Sequence, residues 1–304
     1  MKNFIKKLSL LTLILSFTLL FNSITTFAEN INTDINTIKK VYDEGVKKGK
    51  VDPNNYTFNA FEENYKLGID TYDSMKNTVG QGLNYNEWFD QVLNFGAFPD
   101  GEGHAPSEKK RPRRVKRSQE DNAMKFECDL RKGDIIVVLG GVGHAAIATT
   151  DNYILEMTGG GNALNWIITG IKNNNNQFHK SIWLRGGLEE GQGVVSDRWI
   201  DKWIQIWRIP DRNMANKCAN YADRTFWNST GGYRKNIHID YRITSKLTTK
   251  NPSYCSKLVF QSYYWGSGSA PVIKPNMVNL TSILPNALPN VFTGKYAPYK
   301  VGTY

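Results

Sequence analysis

Between Gly133 and Met157 the chain carries three short apolar runs rich in β-branched residues. They are Asp134–Leu139 (DIIVVL), His144–Thr149 (HAAIAT) and Tyr153–Met157 (YILEM). Gly140-Gly141-Val142-Gly143 and Thr150-Asp151-Asn152 separate them. Runs of four to six such residues are too short for helices. Joined by turns this tight, they can pair only as neighbouring antiparallel strands. A meander with a buried face is therefore the fixed point around which the rest of the chain must fold. Trp203–Ile209 alternates and adds a further strand.

The helical signals lie on either side. Asp211–Trp227 is an amphipathic helix capped by Asp211, with Met214, Cys218, Tyr221 and Ala222 on one stripe. Ser253 precedes a second helix, in which Cys255, Leu258, Val259, Ser262 and Tyr263 share a face. Upstream, Ile31, Ile35, Ile38, Val41 and Tyr42 recur at helical steps. Phe58, Phe61, Tyr65 and Ile69, and then Trp88, Phe89, Val92, Leu93 and Phe95, repeat the pattern. Asp52-Pro53 and Gly80-Gln81-Gly82 mark breaks between these helices. The expected class is α+β, a helical leader followed by an antiparallel sheet packed against helices.

The net charge of +10 is unevenly spread. Residues 29–108 hold 14 acidic and 7 basic side chains, and residues 109–117 hold seven basic ones and no acid. This places an acidic leader and a basic second half on either side of a basic hinge, and attraction would hold the two together. Lys2, Lys6 and Lys7 precede the apolar stretch Leu8–Phe21, and Thr26-Phe27-Ala28 supplies small residues before Glu29. That is the pattern of an export signal over 1–28, and its apolar run falls short of the roughly 20 residues of a membrane span. The expected divisions are signal 1–28, leader 29–98, linker 99–117 and catalytic domain 118–304, in a secreted or cell-wall-associated protein with no transmembrane anchor. The run Lys109–Arg117 reads as a solvated arm, as a tether to an anionic surface, or as a site for an activating protease acting at 111–117, between Arg117 and Ser118. The third reading makes the chain a zymogen.

Gly141-Val142-Gly143-His144-Ala145-Ala146 fits a dinucleotide fingerprint, but a strand rather than a helix follows it, and Glu156 comes too early for a ribose. Neither a nucleotide nor a nucleic-acid partner is expected. No two His or Cys residues sit at ligand spacing, so no metal is expected, and no cofactor.

Three cysteines in an exported chain leave at least one thiol unpaired, and Cys128 and Cys218 are available to form a disulfide. Cys255 opens a helix, where backbone N–H groups and the helix dipole favour thiolate. A thiolate nucleophile needs a base, and the base needs an orienting group. His144 lies at the mouth of a strand, twelve residues before Glu156 across a hairpin, which brings the two side by side. Asn162 is the alternative third residue. His104 lies in the linker, His179 in a polar loop after Asn173–Asn176, and His238 in an alternating stretch; each reads as an ordinary histidine.

Gly133-Asp134-Ile135-Ile136, Gly143-His144-Ala145-Ala146-Ile147-Ala148, Ile154-Leu155-Glu156 and Tyr254-Cys255-Ser256-Lys257-Leu258-Val259 together resemble the permuted papain-like amidases. These are the YiiX/YaeF-like relatives of the NlpC cysteine peptidases, in which the histidine strand precedes the cysteine helix. The resemblance covers roughly residues 125–265 and leaves out the leader and the last forty residues. It implies a circularly permuted papain-like (NlpC-type) fold, with Cys255 as nucleophile, His144 as base and Glu156 as orienting group. Tyr254 would line the site, and the Cys255 N–H would hold the oxyanion. The implied reaction is cleavage of an amide bond through an acyl-Cys intermediate, in cell-wall peptides. Lipid acyl hydrolysis or transfer is the alternative substrate class. A secreted binding or toxin-like module without turnover is the non-enzymatic one.

Overall fold

The computed structural model describes residues 31, 33–77, 79–109, 117–162, 165–189, 193–195, 199–280 and 282–304. The expected export signal and residues 110–116 of the basic run lie outside them.

The meander forms as the β-branched runs require. Strands β1 (Ile135–Val138), β2 (His144–Ala148) and β3 (Tyr153–Met157) pair antiparallel. The Thr150 hydroxyl accepts the N–H groups of Asn152 and Tyr153 to close the second turn. Outside β3 lies β4 (Asn175–His179). A two-stranded ribbon, β5 (Gly187–Glu189) with β6 (Gly193–Val195), follows. On the other side of β1 lie β7 (Ile204–Arg208) and the terminal β8 (Tyr299–Thr303). The result is a six-stranded antiparallel sheet in the order β4-β3-β2-β1-β7-β8.

The pleat divides the apolar residues between two faces. Ile135, Val137, Ala145, Ile147, Leu155 and Met157 join one core with helices α6 (Arg212–Phe226) and α7 (Cys255–Gly266). Ile136, Val138, Ala146, Ala148, Ile154 and Ile206 face α4 (Arg117–Asp129) and α5 (Lys180–Arg185) through Phe126, Trp183 and Leu184. Asp211 caps α6 by accepting the Met214 N–H at 2.9 Å, as the sequence predicts. Asp134 of the Gly133-Asp134 motif is fully buried and ties the start of β1 to the end of β7. It accepts the Arg131 N–H at 2.7 Å and two bonds from Arg208, at 2.8 and 2.7 Å. Its role is structural.

The leader helices are α1 (Ile35–Lys47), α2 (Phe58–Met75) and α3 (Tyr85–Gln91). Asp34 and Thr57 cap the first two, and Asn84 with Glu87 forms a capping box on the third. Their shared core is aromatic, with Phe61, Tyr65, Tyr85 and Phe89 meeting largely edge to face.

Two expectations need correcting. Residues 99–104 are irregular, as their composition predicts, but they are docked rather than linking. Phe98 is fully buried in the same core as α6 and α7, and the His104 ring stacks on Trp203 at 3.9 Å. Glu102 accepts bonds from Gln205, Thr303, Lys300 and His104 at 3.1, 2.9, 2.5 and 2.7 Å. Burial would raise the Glu102 carboxyl, but the bonds from His104, Lys300 and Thr303 hold it at about 2. Thr33–Tyr304 is accordingly one compact unit, leader included. The second correction is β4, expected as a polar loop. Asn175 makes a polar strand tolerable: its amide donates to Phe226 and Ile237 carbonyls and accepts the Ile239 N–H.

One consequence is testable by limited trypsin treatment. A chain nicked within 110–117 is expected to elute as one particle on gel filtration, its two fragments held by Phe98 and the Glu102 cluster. A depressed carboxyl stabilises above its unfolded pKa and loses that contribution only as pH falls through its folded value. Co-elution should therefore persist at pH 5. Separation of the fragments at pH 7 would contradict the docking.

Candidate active site

Helix α7 begins where the chain is pinned from both sides. The Ser253 N–H donates to Asp240 O at 2.9 Å and Ser253 O accepts the Arg242 N–H at 2.8 Å. Tyr254, extended at φ −148° and ψ 170°, stands at the N-cap without a side-chain cap bond. The first N–H groups of the helix therefore have no intrahelical acceptor, and Cys255 lies among them.

His144 is the first residue of β2, at the end of the sheet where α7 starts. In the β2–β3 register Ala146 faces Glu156, which makes Glu156 the diagonal neighbour of His144 on the same face. His144 Nε2 donates to Glu156 Oε2 at 2.8 Å, which leaves Nδ1 for the Cys255 thiol, and the ring lowers the pKa of that thiol. The three residues thus form one continuous chain, and all are buried.

The surroundings favour the charged forms of His144 and Cys255. Burial alone would lower His144, yet the Glu156 charge and the bond to Cys255 raise it well above an ordinary histidine. Burial alone would raise Cys255, but His144 and the N–H groups of Ala145 and Ser256 hold it below an ordinary thiol. The Trp199 ring stacks on His144 at 4.7 Å and 14°, an arrangement that supports an imidazolium. Glu156 is held from three directions. Besides His144, Trp183 Nε1 donates to Oε2 at 2.6 Å, and the Thr158 hydroxyl donates to Oε1 at 3.2 Å. Asn176 on β4 donates to Thr158 Oγ1 at 2.8 Å and fixes that hydroxyl in turn.

A cavity of about 270 Å³ opens beside Cys255, between α7, the segments 241–245 and 282–285, and the leader residues Met75, Val79 and Gly80. Tyr254 lines it, with its hydroxyl accepting the Ile283 N–H at 3.0 Å.

The remaining singled-out residues lie elsewhere. Asn162 is not at the histidine: its side chain accepts the Asn165 N–H at 3.2 Å and closes its own loop. His179 caps α5, His238 bonds Asn173, and His104 stacks in the leader contact. Cys128 and Cys218 are both free, which corrects the proposed disulfide. Cys218 faces the core between α6 and α7, and Cys128 is exposed on α4. Arg117 and Ser118 begin α4, so a cut between them falls in the first turn of a helix. Among the described residues no cluster of three or more His, Cys, Asp or Glu is placed to hold a metal. Likewise, no helix there is long and apolar enough to cross a membrane. Nothing in the sequence singled out Thr158 or Asn176, and the one signal for Trp183 and Trp199 was that seven of the eight tryptophans lie after Ser118.

No family model matches the chain, and no solved structure matches it. It is 40% identical over 180 residues to a protein of Bacillus thuringiensis described as an uncharacterized 30.3 kDa protein. The match takes in 58% of this chain, and the chain spans 58% of that relative's length.

Proposed function

We propose that the protein is an exported cysteine hydrolase with a permuted papain-like catalytic half, acting on amide or related acyl bonds. The observation that carries this reading is the buried, continuous chain Cys255–His144–Glu156 at the wall of an open cavity. The Cys255 thiolate attacks the acyl carbon, and the Cys255 N–H receives the oxyanion. The His144 imidazolium gives its Nδ1 proton to the leaving amine or alkoxide as that bond breaks. Neutral His144 then takes a proton from water, hydroxide displaces the acyl group, and the acid product leaves with the thiolate restored. Glu156, locked by Trp183 and Thr158, keeps the ring oriented and offsets its charge. The order His, Glu, Cys along the chain is that of the permuted group. A protein that only binds has no need of a thiol held below its ordinary pKa in this setting.

The test is the pH dependence of iodoacetamide labelling, read at Cys255 by peptide mass spectrometry. An ordinary thiol loses about 80-fold in labelling rate between pH 8 and pH 6, because its thiolate fraction falls by that factor. A Cys255 held low by imidazolium keeps a nearly level rate over that range. In His144→Ala the steep dependence should return. A steep dependence in the wild type would sink the ion-pair reading and bring the non-enzymatic one forward.

A further inference from the structure

Among the described residues, none that lines the cavity beside Cys255 carries a charged side chain other than the thiol itself. Its wall is largely aliphatic, with Met75, Val79, Val142, Ile167, Ile243 and Leu284 contributing. Three of its six hydroxyls are engaged with other parts of the protein, and those of Tyr241, Ser245 and Ser282 also line it. Ser256 Oγ donates to Ile283 O at 2.7 Å, the Tyr254 hydroxyl accepts the Ile283 N–H, and Thr244 Oγ1 accepts from Lys257 at 3.0 Å. Lys257, the cation nearest along α7, is buried behind this wall. It spends its other two protons on Thr249 Oγ1 and Pro252 O, both at 2.9 Å. A substrate group bearing a carboxylate or an amine would enter this space with no partner for its charge, at a desolvation cost of several kcal/mol.

Two exposed aliphatic side chains adjoin the lining segments in sequence. Ile168, next to the lining Ile167, is 62% exposed, and Leu280, just ahead of the lining segment 282–285, is 40% exposed.

The leader is part of this wall. Met75, at the end of α2, is buried, and Val79 and Gly80 continue along the cavity. Gly80 sits at φ +73°, and a Cβ there would lie 2.7 Å from Trp88 Cδ1, so the segment is held against α3 in one path. With the leader docked the cavity is still present, so these residues bound it without filling it.

We infer that this cavity is an acyl-chain pocket, completed by Met75 and Val79 of the leader, and that it selects substrates whose acyl group is an uncharged hydrocarbon chain. The inference rests on the acyl-transfer reading above and names the substrate class of that same site. The leader is then a lasting component of the binding site, and cutting the basic run does not uncover it.

The test uses the full-length chain and p-nitrophenyl esters with acyl groups from two to twelve carbons. Each methylene that enters the pocket should raise kcat/KM about fourfold, until the pocket is full and the profile levels off. In Val79→Trp the indole occupies part of the pocket. The ratio of eight-carbon to two-carbon kcat/KM should fall about sixteenfold, two methylenes' worth. In Val79→Ala the plateau should move to longer chains. Thermal melts of both variants establish that they are folded. A flat chain-length profile, a profile indifferent to both Val79 variants, or preference for a γ-glutamyl anilide over an octanoyl anilide would overturn the pocket. So would rejection of every ester by a chain whose Cys255 labels rapidly at pH 6. Loss of that labelling in the wild type would instead bring down the catalytic reading itself.

Discussion

Cys255→Ala is expected to abolish the acyl-enzyme, and His144→Ala to lower kcat/KM by about 10⁴. The residues act as a unit, so the double variant should be no worse than the more damaging single one. The physical reason is the division of labour in the buried chain. On the proposed mechanism the nucleophile is a thiolate only while His144 is cationic, and the leaving group departs only if the same imidazolium gives up its proton. Glu156→Gln keeps the shape and can still accept from Trp183, but it no longer offsets the imidazolium charge, so a loss of about 10² is expected. Intact-mass spectrometry after mixing with an acyl p-nitrophenyl ester reads the first claim directly, as an acyl adduct present in the wild type and absent from Cys255→Ala. An adduct of undiminished yield in Cys255→Ala would place the nucleophile elsewhere. Turnover by His144→Ala within tenfold of the wild type would remove the histidine from the mechanism.

The second large effect is expected far from the thiol. Phe98 belongs by sequence to the leader, yet it is fully buried among residues of the sheet and of α6 and α7. Phe98→Ala leaves a cavity in that shared core and should cost about 3–5 kcal/mol, or roughly 5–9 °C in Tm for a unit of this size. Because leader and sheet share the core, calorimetry should show one cooperative transition moving as a whole. Two transitions, with only the smaller displaced, would mean that the leader folds as a separate domain. The substitution also loosens the anchor of the segment that carries Glu102 and His104. The nicked form of the variant should therefore release its leader more readily than the nicked wild type.

The candidate chemistry was legible because it is built from local features. Three β-branched runs with glycine and threonine turns leave only an antiparallel meander, and the twelve-residue spacing then sets Glu156 diagonal to His144. A cysteine behind Pro252 and Ser253 has its helix position written beside it. The leader helices were legible for the same reason, since three- and four-residue periodicity and the caps at Asp34, Thr57 and Asn84 lie within a few residues of one another.

What the sequence concealed depends on partners far along the chain. Asn175 reads as a loop residue until its amide meets the carbonyls of Phe226 and Ile237, which turns a polar stretch into a strand. Trp183 and Trp199 carry no periodic signal, and only the fold brings one to Glu156 and the other over His144. The acidic count of the leader pointed to attraction to the basic half, and the contact includes ion pairs of Asp100 and Glu102 with Lys300 beside the buried Phe98. Most of the elements and the order of the candidate residues could be read from the chain, because those follow from neighbours in it. The tertiary structure alone decided that the leader shares the core and walls the cavity, because burial and hydrogen bonding act between residues that only folding brings within reach.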